Sequence, residues 1–253
     1  MKRMILGMSV VAAMLFAASA ALAGGLNLAW TNCASEGGLP NRVGACTANT
    51  GSNILTGSFV PTADVAGVTG IEVVLDFIVG DGVSAIPPWW EVNGVGACRS
   101  GALGANSQAN GNNTICNDWA GGQGLGGLAA YNAAGVAPDG SVNPANASAH
   151  RRAIIGIAVA IPVDLVATEE YFAFNAAITN VKSVGTGSCA GCTTPVCVVL
   201  NSINVVPGTN AGQLIGNGTA ANSNFATWQG VGPSCSLVPT KNATWGSVKA
   251  LYH

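Results

Sequence analysis

The chain has 253 residues, of which 8% are charged, with 9 Lys+Arg against 11 Asp+Glu and a formal net charge of −2. Charge this sparse, with no acidic or basic block, excludes a polyelectrolyte tail and removes the basic footprint that nucleic acid requires. The 49% hydrophobic fraction is not a membrane signature, because 41 of those residues are alanine.

Met1 to Ala23 has the layout of a signal peptide. Lys2 and Arg3 form a basic start, Met4 to Ala20 an apolar run, and Ala21-Leu22-Ala23 a small-x-small cleavage pattern before Gly24. The expected organisation is therefore 1–23 as signal peptide and 24–253 as one domain. Cleavage leaves 7 basic and 11 acidic residues in 230, a net charge of −4. The longest later apolar run, Ala153 to Val163, is interrupted by Gly156 and Pro162. It falls short of the roughly 20 residues a spanning helix needs, so no membrane span is expected in the mature chain.

The body reads as strands, since Gly, Pro and Asn punctuate it about every ten residues. Leu26 to Thr31 is the first candidate and Ile54 to Val60, closed by Pro61, the second. The clearest is Thr69 to Val79. There Ile71, Val73, Leu75 and Phe77 share one face, with Glu72 and Asp76 on the other, the period-2 pattern of a half-buried strand. Ile86 to Val92 contains Pro87 and Pro88 and is expected only as an edge or irregular strand. Gly94 to His150 is too long for a plain loop and reads either as an excursion pinned by a disulfide or as a region with one or two weak strands.

Arg152 to Val163 then reads as a strand buried on both faces. Tyr171 to Lys182 follows, with Phe172, Phe174, Ala176 and Ile178 inward. Val196 to Val206, Phe225 to Gln229 and Trp245 to Tyr252 complete the set, the last with a helical turn as its alternative. Many short strands without interleaved helices predict an all-β fold, an antiparallel β-sandwich of jelly-roll or cohesin-like type, with a long Gly/Asn-rich excursion and disulfide stabilisation.

The eight cysteines are Cys33, Cys46, Cys98, Cys116, Cys189, Cys192, Cys197 and Cys235. All follow the cleavage site, and export takes them into an oxidising compartment. Eight cysteines allow 105 pairings. Proximity favours Cys33–Cys46 and Cys98–Cys116, which enclose 12 and 17 residues, each closure contributing about 3 kcal/mol. Cys192–Cys197 and Cys189–Cys235 would complete the set. Two sharper readings compete at Cys189-Ala190-Gly191-Cys192. A redox CxxC requires a helix N-terminus, which a Gly/Ser/Thr-rich loop does not offer. A zinc site of Cys189, Cys192, Cys197 and Cys235 would have to compete with oxidation.

Groups suited to acid–base or nucleophilic chemistry are few. His150 reads as a solvated loop residue and His253 is the last residue, with no G-x-S-x-G elbow to accompany either. Glu72 and Asp76 share a strand face but lie about 13 Å apart, and Glu169-Glu170 alternates faces. No catalytic, cofactor-binding or metal-binding residue is therefore assigned. Adjacent residues on a strand point oppositely, so one of Trp89 and Trp90 is expected outside, available to stack on a sugar or anchor a protein, with Trp119 and Tyr131 beside it. Four N-x-S/T sequons, at Asn112, Asn146, Asn217 and Asn242, carry little weight in a chain with 23 asparagines.

The stretch GSFVPTADVAGVTGIEVVLDFIVGDG, Gly57 to Gly82, resembles the opening of cohesin-like β-sandwich modules of secreted bacterial proteins. The chain as a whole resembles secreted bacterial proteins without an assigned activity that share CxGCxxPVC, here Cys189 to Cys197, and TWGxVKxLY, here Thr244 to Tyr252. These resemblances imply bacterial origin and export and carry over no functional residue. The expected function is a secreted or cell-surface protein, extracellular or periplasmic. It would be non-catalytic, with a binding or structural role toward a protein or glycan partner or toward other copies of itself. A carbohydrate-binding module using exposed tryptophans is the first alternative and a secreted hydrolase the second.

Overall fold

A computed structural model describes residues 24–82, 84–109, 116–133, 147–167, 169–208, 212–216 and 224–230. The expected signal peptide, the candidate strand Trp245 to Tyr252 and Cys235 lie outside the described residues. Twelve strands are described: β1 (Gly25–Trp30), β2 (Asn41–Arg42), β3 (Ser52–Val60), β4 (Val65–Val79), β5 (Leu103–Asn106), β6 (Asn117–Asp118), β7 (Leu125–Ala133), β8 (His150–Leu165), β9 (Tyr171–Thr179), β10 (Val196–Pro207), β11 (Gln213–Gly216) and β12 (Phe225–Trp228). They form two sheets. One is ordered β1-β3-β9-β5, with β6 also on β9, and the other β2-β12-β10-β4-β8-β7, with β11 also on β10. Pairing is antiparallel except for β2–β12 and β6–β9. The all-β, two-sheet expectation holds.

One apolar core lies between the sheets. Ile71, Val73, Leu75 and Phe77 of β4 enter it, as their alternation required, and meet Leu26, Leu28 and Trp30 of β1 and Leu55 and Phe59 of β3. On β9 the alternation is interrupted. Gly57 pairs with Phe174 but Ser58 with Phe172, so Ala173 is bulged out of the ladder. Phe174, Ala176 and Ile178 face the core as expected. Phe172 instead packs with Cys33 and Cys116 in a separate cluster.

Two strand expectations are corrected and a third is extended. Ile86 to Val92 forms no strand: Pro88–Trp90 is a 3-10 turn, with Pro87 fixing the extended entry. The strand expected at Arg152 to Val163 begins at His150 and is buried only in its first half. Its register against β4 slips between Val163 and Ala158, and residues there are exposed, Ile161 to 64%. The Gly94 to His150 excursion contains β5, β6 and β7.

Both lateral openings of the sandwich are bridged. At one side Trp30 and Leu39 exchange backbone hydrogen bonds of 2.8 and 3.0 Å. At the other, Ser107 Oγ donates to the Gly124 carbonyl at 2.7 Å, and β7 passes so near β5 that a Cβ on Gly127 would sit 2.8 Å from the Ala105 oxygen. Such contacts cover backbone that open sheet edges would expose. Among the described residues, no helix is long and apolar enough to cross a membrane.

Candidate functional site

Among the described residues, a close group of ionisable side chains lies on the seven-stranded sheet, on the face turned away from the main core. Antiparallel register sets Asp76 of β4 opposite Arg152 of β8. Arg152 Nε and Nη2 donate to the two Asp76 carboxylate oxygens, each at 2.7 Å, a bidentate fork. His150, two residues earlier and therefore on the same face, places Nε2 3.0 Å from Asp76 Oδ1. From the other flank, Asn201 Nδ2 donates to Asp76 Oδ2 at 2.8 Å. A bulge on β10 brings it there, since Leu200 pairs with Leu75 and Ser202 with Val74, leaving Asn201 out of the ladder.

All four side chains are buried, His150 to 1% exposure. Burial alone would raise the Asp76 carboxyl. Hydrogen bonding and electrostatic attraction from His150 and Arg152 outweigh it and hold the group below the ordinary carboxylate value of 3.8. The solvated loop expected for His150 is corrected: it opens β8 and is enclosed. The solvent face expected for Asp76 is corrected as well. Asp76 has its charge matched by Arg152, and both of its oxygens accept. The arrangement ties three strands, β4, β8 and β10, to one carboxylate.

The aromatic residues converge inside the sandwich. Trp89 and Trp90 pack edge-on at 5.0 Å, Trp89 stacks on Trp228 at 5.2 Å, and Trp228 reaches Trp30 at 5.7 Å. Phe77 joins Trp90 to Tyr131, whose hydroxyl donates to the Trp90 carbonyl at 2.5 Å. Burial drives the Tyr131 hydroxyl far above its usual range, so it remains a neutral donor. Arg99 lies 3.6 Å above the Trp89 ring. Its guanidinium donates to the carbonyls of Trp89, Val181 and Thr179. Burial lowers it to about 10, so it stays cationic at neutral pH.

The expectation of an exposed tryptophan is therefore corrected. Trp89 and Trp90 are fully buried, Trp119 is 1% and Tyr131 6% exposed. Opposite orientation of neighbours holds on a strand, whereas the 3-10 turn turns both indoles into the core.

The cysteine pairings are corrected too. The bonds are Cys33–Cys116, Cys46–Cys192 and Cys98–Cys189, spanning 83, 146 and 91 residues. Cys197 is also disulfide-bonded. Proximity in sequence failed because the folded sheets bring segments distant along the chain into contact. Cys189 and Cys192 each bond a distant partner, so neither the redox CxxC nor a thiolate zinc set is present in this state. The neighbouring acids before β9 bind strands: Glu170 accepts from Asn27 Nδ2 at 2.9 Å and from Ser58 Oγ at 2.5 Å, and Glu169 from Asn117 Nδ2 at 2.8 Å, while Glu72 is exposed.

A shallow groove lies beside the 3-10 turn, lined by Ile86, Pro88, Glu91, Asn93 and Val95. Glu91 there pairs with Arg151, Oε1 to Nη2 at 2.5 Å. No protein-family model matches this chain, and no curated protein is detectably similar to it.

Proposed function

We propose that the chain is an exported, non-catalytic β-sandwich that acts through its surface, by binding a partner or by assembling with other copies of itself. The observation that carries this reading is the enclosure of Asp76, His150, Arg152 and Asn201. Among the described residues, this cluster of ionisable groups is enclosed within the sheet, and Arg152 and Asn201 spend their donors on Asp76. Export is supported by the leader pattern at residues 1–23 and by disulfides that an oxidising compartment maintains. A single unit over 24–253 is supported by the one core that both sheets share. The sugar-stacking alternative loses its platform, because the aromatic residues it required face inward. Of the acids the hydrolase alternative would use, Asp76, Glu169 and Glu170 are engaged in side-chain contacts within the fold.

The test uses the oxidised chain from Gly24 onward. Sedimentation velocity over a concentration series, with binding to isolated cell-envelope fractions, reads assembly and adhesion. A panel of ester, glycoside and peptide substrates reads turnover. Association without turnover supports the proposal. A strict monomer that binds nothing and hydrolyses a substrate class would overturn it.

A further inference from the structure

We infer that Asn93 is a site of spontaneous covalent modification, its side-chain amide lost to attack by the backbone nitrogen of Gly94. The inference is independent of the proposed function and rests on three observations. First, glycine follows asparagine, so no side chain obstructs approach of the Gly94 nitrogen, and Gly94 takes φ +106°, a backbone that glycine adopts freely. Second, the Asn93 side chain is folded back onto that nitrogen: Gly94 N–H donates to Asn93 Oδ1 at 2.8 Å. The electrophilic carbonyl and the nucleophile are thus already neighbours. Third, Gly94 is exposed, so water and hydroxide reach the bond.

The chemistry balances with water as the only co-reactant. The Gly94 nitrogen gives its proton to hydroxide and attacks Asn93 Cγ. The new N–Cγ bond closes a five-membered succinimide as the Cγ–Nδ2 bond breaks and ammonia leaves. Water then opens the ring at either carbonyl. One product is aspartate in the original backbone. The other is isoaspartate, in which the chain runs through the side chain.

The loop can accommodate this without loss of the fold. Its base is fixed by Arg99 N–H donating to the Glu91 carbonyl at 2.9 Å, by Ala102 N–H donating to the Val92 carbonyl at 3.2 Å and by the Cys98–Cys189 bond. The altered backbone falls on the tip, where Val95 is fully exposed. Other asparagines contrast with it. Asn53, Asn175 and Asn201 are buried, donate their amides to fixed acceptors, and are followed by Ile54, Ala176 and Ser202 within strands. The consequence is a change of charge in the groove. A carboxylate appears at Asn93 beside Glu91, whose own charge is matched by Arg151.

The test is incubation of the folded, oxidised protein at neutral and mildly alkaline pH, followed by digestion in heavy-oxygen water and peptide mass spectrometry. Heavy oxygen marks any conversion that occurs during digestion. Peptide resolution is needed because Asn110-Gly111 and Asn217-Gly218, outside the described residues, repeat the dipeptide. The expected result is replacement of NH2 by OH at Asn93, faster at higher pH, with isoaspartate exceeding aspartate. A transient species lacking ammonia should precede it, and Asn93→Gln should stay unconverted at that position. Retention of the Asn93 amide in the folded protein, while the same segment converts after reduction and unfolding, would overturn the inference.

Discussion

Asp76 and Arg152 face each other across the β4–β8 ladder, and two guanidinium nitrogens reach two carboxylate oxygens at 2.7 Å within a buried layer. A charge enclosed in this way is tolerable only while its partner remains. Asp76→Asn keeps the shape and removes the charge, leaving Arg152 without its counter-charge and with one acceptor oxygen in place of two. The expected cost is about 3–5 kcal/mol, the range for breaking a buried pair on one side. Urea denaturation checks it.

The same pair fixes an acid limit. The Asp76 carboxyl is held below its ordinary value of 3.8 in the fold. A group whose folded pKa is depressed stabilises fully above its unfolded pKa and loses that stabilisation as pH falls through the folded value. Stability owed to Asp76 should thus be flat from neutral pH down to about pH 4 and decline below. Denaturation at a series of pH values reads the slope, and Asp76→Asn should reduce it.

Loss of a cross-link should be costly because each spans a long stretch of chain. Replacing Cys98 and Cys189 together by serine is expected to remove about 2–5 kcal/mol, read from the urea midpoint. Peptide mapping without reduction should return Cys33–Cys116, Cys46–Cys192 and Cys98–Cys189. The count of eight then leaves Cys235 as the expected partner of Cys197. A Cys197 linked to a second chain would contradict that expectation.

The aromatic cluster leaves no spare volume at one glycine. A Cβ on Gly44 would lie 1.6 Å from the Trp228 ring. Gly44→Ala must displace that indole, which stacks on Trp89 and donates Nε1 to the Cys192 carbonyl at 2.7 Å. The expected destabilisation is about 1–3 kcal/mol, as for overpacked cores, with a shift in tryptophan emission as the check.

Legibility in the sequence followed the range of the interaction. The inward face of β4 was readable because alternation is local: Ile71, Val73, Leu75 and Phe77 announce it alone. Inversion at Phe172 was not, because the bulge at Ala173 belongs to pairing with β3 and not to β9 itself. The turn of Trp89 and Trp90 into the core was half-legible, since Pro87 and Pro88 ruled out a regular strand without showing the 3-10 turn. The Asp76 cluster was missed although it left a trace. His150 and Arg152 sit two apart at the head of an apolar run, on one strand face, and a lone Asp sits within another apolar run. Their meeting depends on register between β4 and β8, a relation of residues 76 apart. Disulfide pairing depends on the same long-range geometry.

The most direct test of the claim that this cluster is structural is a double-mutant cycle on Asp76→Asn and Arg152→Met, read by urea denaturation. Each single change is expected to cost several kcal/mol, because each leaves uncompensated buried charge. The double variant should be far less damaged than the sum, because the pair is removed together. Single variants within about 0.5 kcal/mol of the parent, as at ordinary surface positions, would contradict the account and reopen Asp76 and His150 as functional groups.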